Sequence, residues 1–424
     1  MLQVSWRSCL IPLLLGVGAR CPAQQTVLTW EQVRSQFLAN NPTLAATGVL
    51  VDESKAGEIT AYLRPNPDLS LSVDGVQISR NFGVWRPLSG VVETPGISYL
   101  HEREHKRELR LDSAKKATGI AELSQADQER NLIFNLRNAF VQTLQAKAVL
   151  QNAEENLAYW DREISLSRDR FAAGDMAKVD LNRLELQRVQ YESDRETALI
   201  SLRTAKIQLL QLLNSRTPID MLDVAGPYEF SEQVASLEEV RNIALASRPD
   251  LMSAVQAIEK AKADHLLAVS NGSADPTFSV WYSHNPSFSN PFANETMGGS
   301  INIPLRVFDR NQGEKARTQL DIGRNEKLRD ASQAQVFSDV DSAYVALTGA
   351  LSLLRPYKTN YLPQAESVRE TVAFSYQNGA ASLLDFLDAQ KAYRDIRLSY
   401  LNLIGSYLTA ASQLNLAAGR EVIP

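Results

Sequence analysis

Apolar residues recur every seven positions along the last stretch of the chain. Phe386, Tyr393, Tyr400, Tyr407 and Leu414 form one line, and Ala389, Ile396, Leu403 and Ala410 form a second, three residues on. Alternating spacings of three and four over four heptads specify helices packed as a coiled coil. The small residues of the second line permit close approach. An earlier stretch, 106–174, contains no proline and carries Leu150, Leu157, Ile164 and Phe171 at the same interval. Helical throughout, it would run roughly 100 Å. Elsewhere the period falls to two. Leu69, Leu71 and Val73 alternate with Ser70, Ser72 and Asp74, and Ile301, Ile303 and Leu305 alternate with Ser300 and Asn302. Such alternation predicts half-buried strands. The intervening loops, 75–90 and 284–298, are rich in Gly, Pro, Asn and Ser and hold Phe82, Trp85, Phe288 and Phe292.

The pattern is written twice. Glu31, Val33, Arg34, Leu38, Ala39, Pro42 and Leu44 return as Glu238, Val240, Arg241, Leu245, Ala246, Pro249 and Leu251. Each copy opens on a hydroxyl side chain, Thr29 or Ser236, suited to cap a helix. Asn66-Pro67 before the first alternating stretch returns as Asp275-Pro276. Arg170 to Gly174, followed by Asp180, returns as Ser375 to Gly379, followed by Asp385. Register kept over nearly the whole chain indicates a duplicated unit. The predicted order in each copy is helix, strand, loop, strand, very long helix, tight turn, long helix. The predicted organisation is a leader 1–23, a first repeat 24–213, a joint 214–235 containing Pro218, Gly226 and Pro227, and a second repeat 236–424. The fold class is mainly α with a small β part.

Composition narrows the setting. Arg7, the apolar run from Cys9 to Ala19, and Cys21-Pro22-Ala23 have the form of an export signal cleaved after Ala23. Arg20 disfavours the rival reading, a lipidated Cys21. Both cysteines fall in this leader, so the mature chain holds no disulfide, thiolate metal site or cysteine nucleophile. Net charge is −5, and −7 without Arg7 and Arg20, which disfavours a nucleic-acid partner. No later stretch approaches 18 continuous apolar residues.

His101-Glu102-Arg103-Glu104-His105 matches H-E-x-x-H, which on a helix would place two histidines on one face with a glutamate base. The residues after it, Lys106 to Arg110, are strongly charged, unlike a buried catalytic helix. No spacing marks His265, His284 or a carboxylate as third ligand. The segment reads as a solvated strand-to-helix junction, and neither a P-loop nor a dinucleotide fingerprint is present. No catalytic residue, cofactor site or metal site is expected.

Four strands cannot close a membrane barrel, which takes at least about eight strands, and open edges cannot face lipid. Membrane strands in this chain would therefore require several copies. The duplication, Leu63-Arg64-Pro65-Asn66-Pro67 and the two glycine turns together resemble the TolC-like outer-membrane efflux family. Leu63 to Leu71, with Tyr159-Trp160 ahead of Arg168 to Gly174, is similar to its cobalt–zinc–cadmium branch. The resemblance implies a homotrimer with a twelve-stranded barrel in outer-membrane lipid and a long α-helical tunnel in the periplasm. It implies as partners a periplasmic adaptor and an inner-membrane pump, and divalent metal cations as cargo. By the same resemblance, Gly174 and Gly379 mark tips gripped by the adaptor. Asp385 and Asp388 would form acidic rings at a periplasmic gate, and Asp180 and Tyr376 would join neighbouring tips. The family often places a basic residue two positions after the second tip glycine; here that residue is Ala381. The competing reading of the helices is a soluble periplasmic coiled-coil adaptor or scaffold.

Overall fold

The computed structural model describes residues 26–285 and 294–423. The leader 1–23 with Cys9 and Cys21, and the loop residues Phe288 and Phe292, lie outside the described residues. The first copy runs β1 (Thr26–Leu28), α1 (Trp30–Asn40), α2 (Pro42–Tyr62), β2 (Asp68–Asp74), β3 (Val92–Leu100), α3 (Lys106–Ala173) and α4 (Lys178–Leu212). After β4 (Leu222–Val224), the second copy runs α5 (Leu237–Ser247), α6 (Pro249–Ser270), β5 (Thr277–His284), β6 (Glu295–Asn302), α7 (Gln312–Pro356), α8 (Leu362–Gln377) and α9 (Leu383–Ala418).

The proline-free stretch is one helix, α3, of 68 residues. Its counterpart is interrupted. A π-helical turn, Tyr357–Tyr361, separates α7 from α8. Pro356 and Pro363 bracket it, and each removes an amide that would have closed an α-helical ring. The opening helix of each copy is also broken at its proline. Asn41 caps α2, its Oδ1 accepting from Leu44 N–H at 3.0 Å, and Pro42 begins the new helix. Ser236 caps α5 by accepting from Glu239 N–H at 3.3 Å. At Thr29 the backbone N–H donates to Gln32 Oε1 at 3.0 Å.

The four long strands form one antiparallel sheet in the order β2-β3-β5-β6, leaving β2 and β6 as open edges. Leu69 lies opposite Ile97, Ile97 opposite Val280, and Phe278 opposite Ile301. These positions put a continuous apolar face on one side of the sheet. That face is uncovered in the single chain: Leu69 is 80% and Met297 79% exposed. The expected alternation through Ile303 and Leu305 stops short, because β6 ends at Asn302. Pro304 has no amide to continue the ladder.

The segment 214–235 carries more structure than a joint. Its strand β4 pairs in parallel with β1, and its Phe230 packs edge-on against Tyr407 at 6.0 Å. One apolar cluster joins Phe37, Leu136, Phe140, Leu209 and Val224. A second joins Phe230, Val336, Leu347, Tyr407 and Leu414. The heptad residues Phe386, Tyr393, Tyr407 and Leu414 are all buried.

The sheet feeds the long helices through a tight junction. Lys106, only 4% exposed, donates to Asp275 Oδ2 at 2.6 Å and to the Ser273 carbonyl at 3.0 Å. Glu104 and His105 both have φ of 55°. The H-E-x-x-H segment is therefore not helical, and its histidines do not share a helix face. Glu102 is instead clamped by Arg110. Among the described residues no group of three His, Cys, Asp or Glu side chains is placed to hold a metal, and no helix is long and apolar enough to cross a membrane.

Candidate functional site

The far end of α3, about 100 Å from the sheet at 1.5 Å per helical residue, turns back at Gly174. The second hairpin turns at Gly379. The two turns share one hydrogen-bond geometry. Gly174 N–H donates to Phe171 O at 3.1 Å and Asp175 N–H to Arg170 O at 2.9 Å; Gly379 N–H donates to Tyr376 O at 3.1 Å and Ala380 N–H to Ser375 O at 2.8 Å. This paired capping needs a residue in the left-handed region. Gly174 has φ of 87° and Gly379 of 77°, values at which a side chain would be strained. Both glycines are exposed, with nothing near the position of an added Cβ.

Behind the turns the two hairpins are locked by aromatic packing. Trp160 of α3 lies 5.0 Å from Tyr191 of α4 and 6.0 Å from Phe386 of α9. Phe386 stacks on Tyr376 of α8 at 4.8 Å and 17°. Ile164, Leu184 and Leu383 complete the cluster. Trp160 stood out in the sequence only through resemblance, because no local pattern marks one buried indole as the meeting point of four helices.

The predicted site residues fall on this end with different surroundings. Asp385 caps its own helix: its Oδ2 accepts from Ser382 N–H at 3.1 Å and from Ser382 Oγ at 2.7 Å. These bonds hold its carboxyl below the usual carboxylate range. Asp388 is exposed one turn further along α9. Asp180 occupies the corresponding place on α4, 3.7 Å from Arg183. Tyr376 is largely buried, and burial raises its phenol, with a smaller contribution from the Asp180 carboxylate; Arg170, whose guanidinium lies 5.6 Å from the ring centroid, opposes this. Within one chain the Asp180 carboxylate thus acts on the Tyr376 phenol through space, without a hydrogen bond between them. Ala381 packs against the aromatic cluster and offers no charge.

A buried polar group beside this cluster went unread in the sequence. Glu163 is 8% exposed between the hairpins. Gln377 Nε2 donates to it at 3.5 Å, while Gln390 Nε2 donates to the adjacent Tyr159 hydroxyl at 2.9 Å. Burial raises the Glu163 carboxyl above its ordinary value, against the pull of Tyr159, Gln377 and Arg162. In sequence Glu163 is one acid among many on a polar helix.

The outer face of α4 was also missed. Val179, Leu186, Ile200 and Ile207 repeat at multiples of seven, yet each is at least half exposed. An exposed heptad line has the form of a coiled-coil seam awaiting a partner helix.

Paired long hairpins with glycine tips at one end and a short open-edged sheet at the other define a class of elongated, duplicated proteins. The chain belongs to the outer membrane efflux protein family, whose model matches residues 33–215 and 240–420, once in each copy. It is 25% identical over 407 residues to the cobalt-zinc-cadmium resistance protein CzcC of Cupriavidus metallidurans, covering 93% of this chain and 90% of that one. It is 23% identical over 409 residues to the cation efflux system protein CusC of Escherichia coli, covering 90% and 84%. Among solved structures, CusC superposes with a TM-score of 0.75 at 19% identity over 92% of both chains. The MtrE outer membrane channel of Neisseria gonorrhoeae, described as an open state, superposes with a TM-score of 0.74 at 16% identity over 93% of this chain and 89% of that one.

Proposed function

We propose that this chain is one subunit of a homotrimeric outer-membrane duct, a passive exit for cargo delivered by an inner-membrane pump through a periplasmic adaptor. The observation that carries this reading is the open-edged sheet with its uncovered apolar face. One chain supplies four strands, three supply twelve, and closure would pair every edge amide while turning Leu69, Ile97, Val280 and Met297 toward lipid. The exposed heptad line of α4 supports the same assembly, with a helix of a second copy as its occupant. Removal of the leader 1–23 fits export, and the repeats 24–213 and 236–424, joined by 214–235, would each contribute one hairpin to the tunnel wall. The duct carries no catalysis and no cofactor.

In this reading Gly174 and Gly379 are the adaptor-docking tips. Three-fold symmetry would turn Asp385 and Asp388 into rings of carboxylates that favour cations, and Asp180 and Tyr376 would join neighbouring tips. With Ala381 uncharged, that junction lacks one ionic contact. The cargo is assigned as divalent heavy-metal cations, on the likeness to CzcC and CusC.

The test is extraction followed by electron microscopy and conductance. A detergent-dependent trimeric tube is the expected particle, and Asp385→Ala with Asp388→Ala should lower its cation preference. Particles released by carbonate without detergent would replace the duct by a soluble coiled-coil scaffold. Unchanged tolerance to cobalt, zinc and cadmium on deletion, in cells with a working pump and no second duct, would remove the metal assignment alone.

A further inference from the structure

A cleft of about 360 Å³ opens far from the tips, where α1 and the end of α9 lie across the middle of α3. Four arginines line it: Arg34, Arg130, Arg137 and Arg420. Of these, Arg130 forms ion pairs, with Asp127 at 2.6 Å and with Asp250 at 3.8 Å. Arg34, Arg137 and Arg420 form no hydrogen bond or ion pair among the described residues. Arg130 donates to Leu416 O at 2.7 Å and to Asp127 Oδ1 at 2.6 Å, yet its Nε is buried with no partner. Glu129 and Glu421 share the cleft but bond to none of the arginines. With Arg130 paired to Asp127 and Asp250, two unbonded carboxylates, Glu129 and Glu421, share the cleft with three arginines that form no ion pair, Arg34, Arg137 and Arg420.

Arg137 is the centre of this imbalance. Its guanidinium lies 4.4 Å from the centroid of the Trp30 ring, which holds it over the cleft. Burial lowers its pKa, and only Glu421 and Glu31 oppose this, acting without direct contact. A partly buried cation without a bonded anion is unfavourable, and a guanidinium fork matches the planar oxygens of a carboxylate or phosphate. Ile133, Phe134 and Leu416 supply apolar wall on the same cleft. It therefore offers cationic forks for a head group beside an apolar surface for a small body.

We propose that this cleft is a binding site for a small organic anion, a carboxylate or phosphate carried on a compact apolar body. The anion accepts from Arg137 and from the two exposed arginines, Arg34 and Arg420, while its body lies against Phe134 and Leu416. The indole of Trp30 beneath Arg137 makes the site observable by fluorescence.

The test uses the full chain in detergent, with benzoate as probe and benzyl alcohol as its neutral counterpart. Benzoate should change the fluorescence saturably, and Trp30→Phe should abolish the change. Benzyl alcohol should bind at least tenfold more weakly. Arg137→Gln should weaken benzoate at least tenfold. The surface pair Arg34→Gln with Arg420→Gln should do the same without disturbing the fold, which guards against misfolding of the Arg137 variant. Equal binding of the alcohol, equal binding by the surface pair, or no saturable change with benzoate would each overturn the assignment.

Discussion

Phe386→Ala isolates the contact that holds the two hairpins together at the tips. The ring is 1% exposed, stacked on Tyr376 and edge-on to Trp160. Removing a fully buried phenylalanine costs about 3–5 kcal/mol, because the walls of the cavity relax only in part. Each aromatic pair accounts for roughly 0.5–1.5 kcal/mol of such a loss. Since every 1.4 kcal/mol is tenfold, local opening of the tip should rise roughly a hundred- to several-thousand-fold. Hydrogen exchange read by mass spectrometry on peptides covering 157–193 and 372–393 would show it directly. The belt around Val336, Val340 and Leu347 belongs to a separate cluster and serves as the internal reference. Leu384→Ala, next to Phe386 but 66% exposed, should change little. Tip amides as protected as in the parent chain, or a belt that loosens equally, would refute the idea that this cluster is the local lock.

Glu163→Gln tests the buried carboxyl. Its folded pKa is raised, so the native state holds the proton more tightly than the unfolded chain, and its contribution is fully present below the ordinary carboxylate value and lost as pH rises through the folded one. The glutamine variant should therefore gain tip stability over the parent as pH rises through that window, with little difference in acid; thermal melts showing a pH-independent difference would contradict this. Asp385 behaves oppositely. Its lowered carboxyl contributes above the ordinary value and loses that contribution as pH falls through the folded one; Ser382→Ala should flatten the acid limb of tip exchange, and an unchanged limb would count against the cap. In the sheet, a Cβ on Gly298 would sit 2.6 Å from the Trp281 ring. Gly298→Val should displace the indole and cost about 1–3 kcal/mol by overpacking, seen as a lower melting temperature of the detergent-extracted protein; an unchanged melt would mean the ring moves freely.

Sequence alone determined the element types, the length of α3, the duplication and the glycine turns. Each of these is encoded within a few turns of chain: by a heptad, by an alternation, by the absence of proline over 106–174, or by a residue able to take positive φ. The second long helix shows the boundary of that logic. Pro356 and Pro363 are plain in the sequence, but only packed neighbours decide whether the chain breaks there or continues through a π turn, as it does. Likewise, Ile303 and Leu305 satisfy the period of a strand, yet Pro304 and the lack of a partner strand end the ladder at Asn302. What tertiary structure decided lies between segments distant in sequence. Trp160 meets Phe386 across more than two hundred residues, the buried Glu163 accepts from Gln377 of the other hairpin, and the arginines of the cleft converge from α1, α3 and the end of α9. Periodicity reports which face of an element is buried, not what that face meets, and the candidate sites of this protein are defined by what meets.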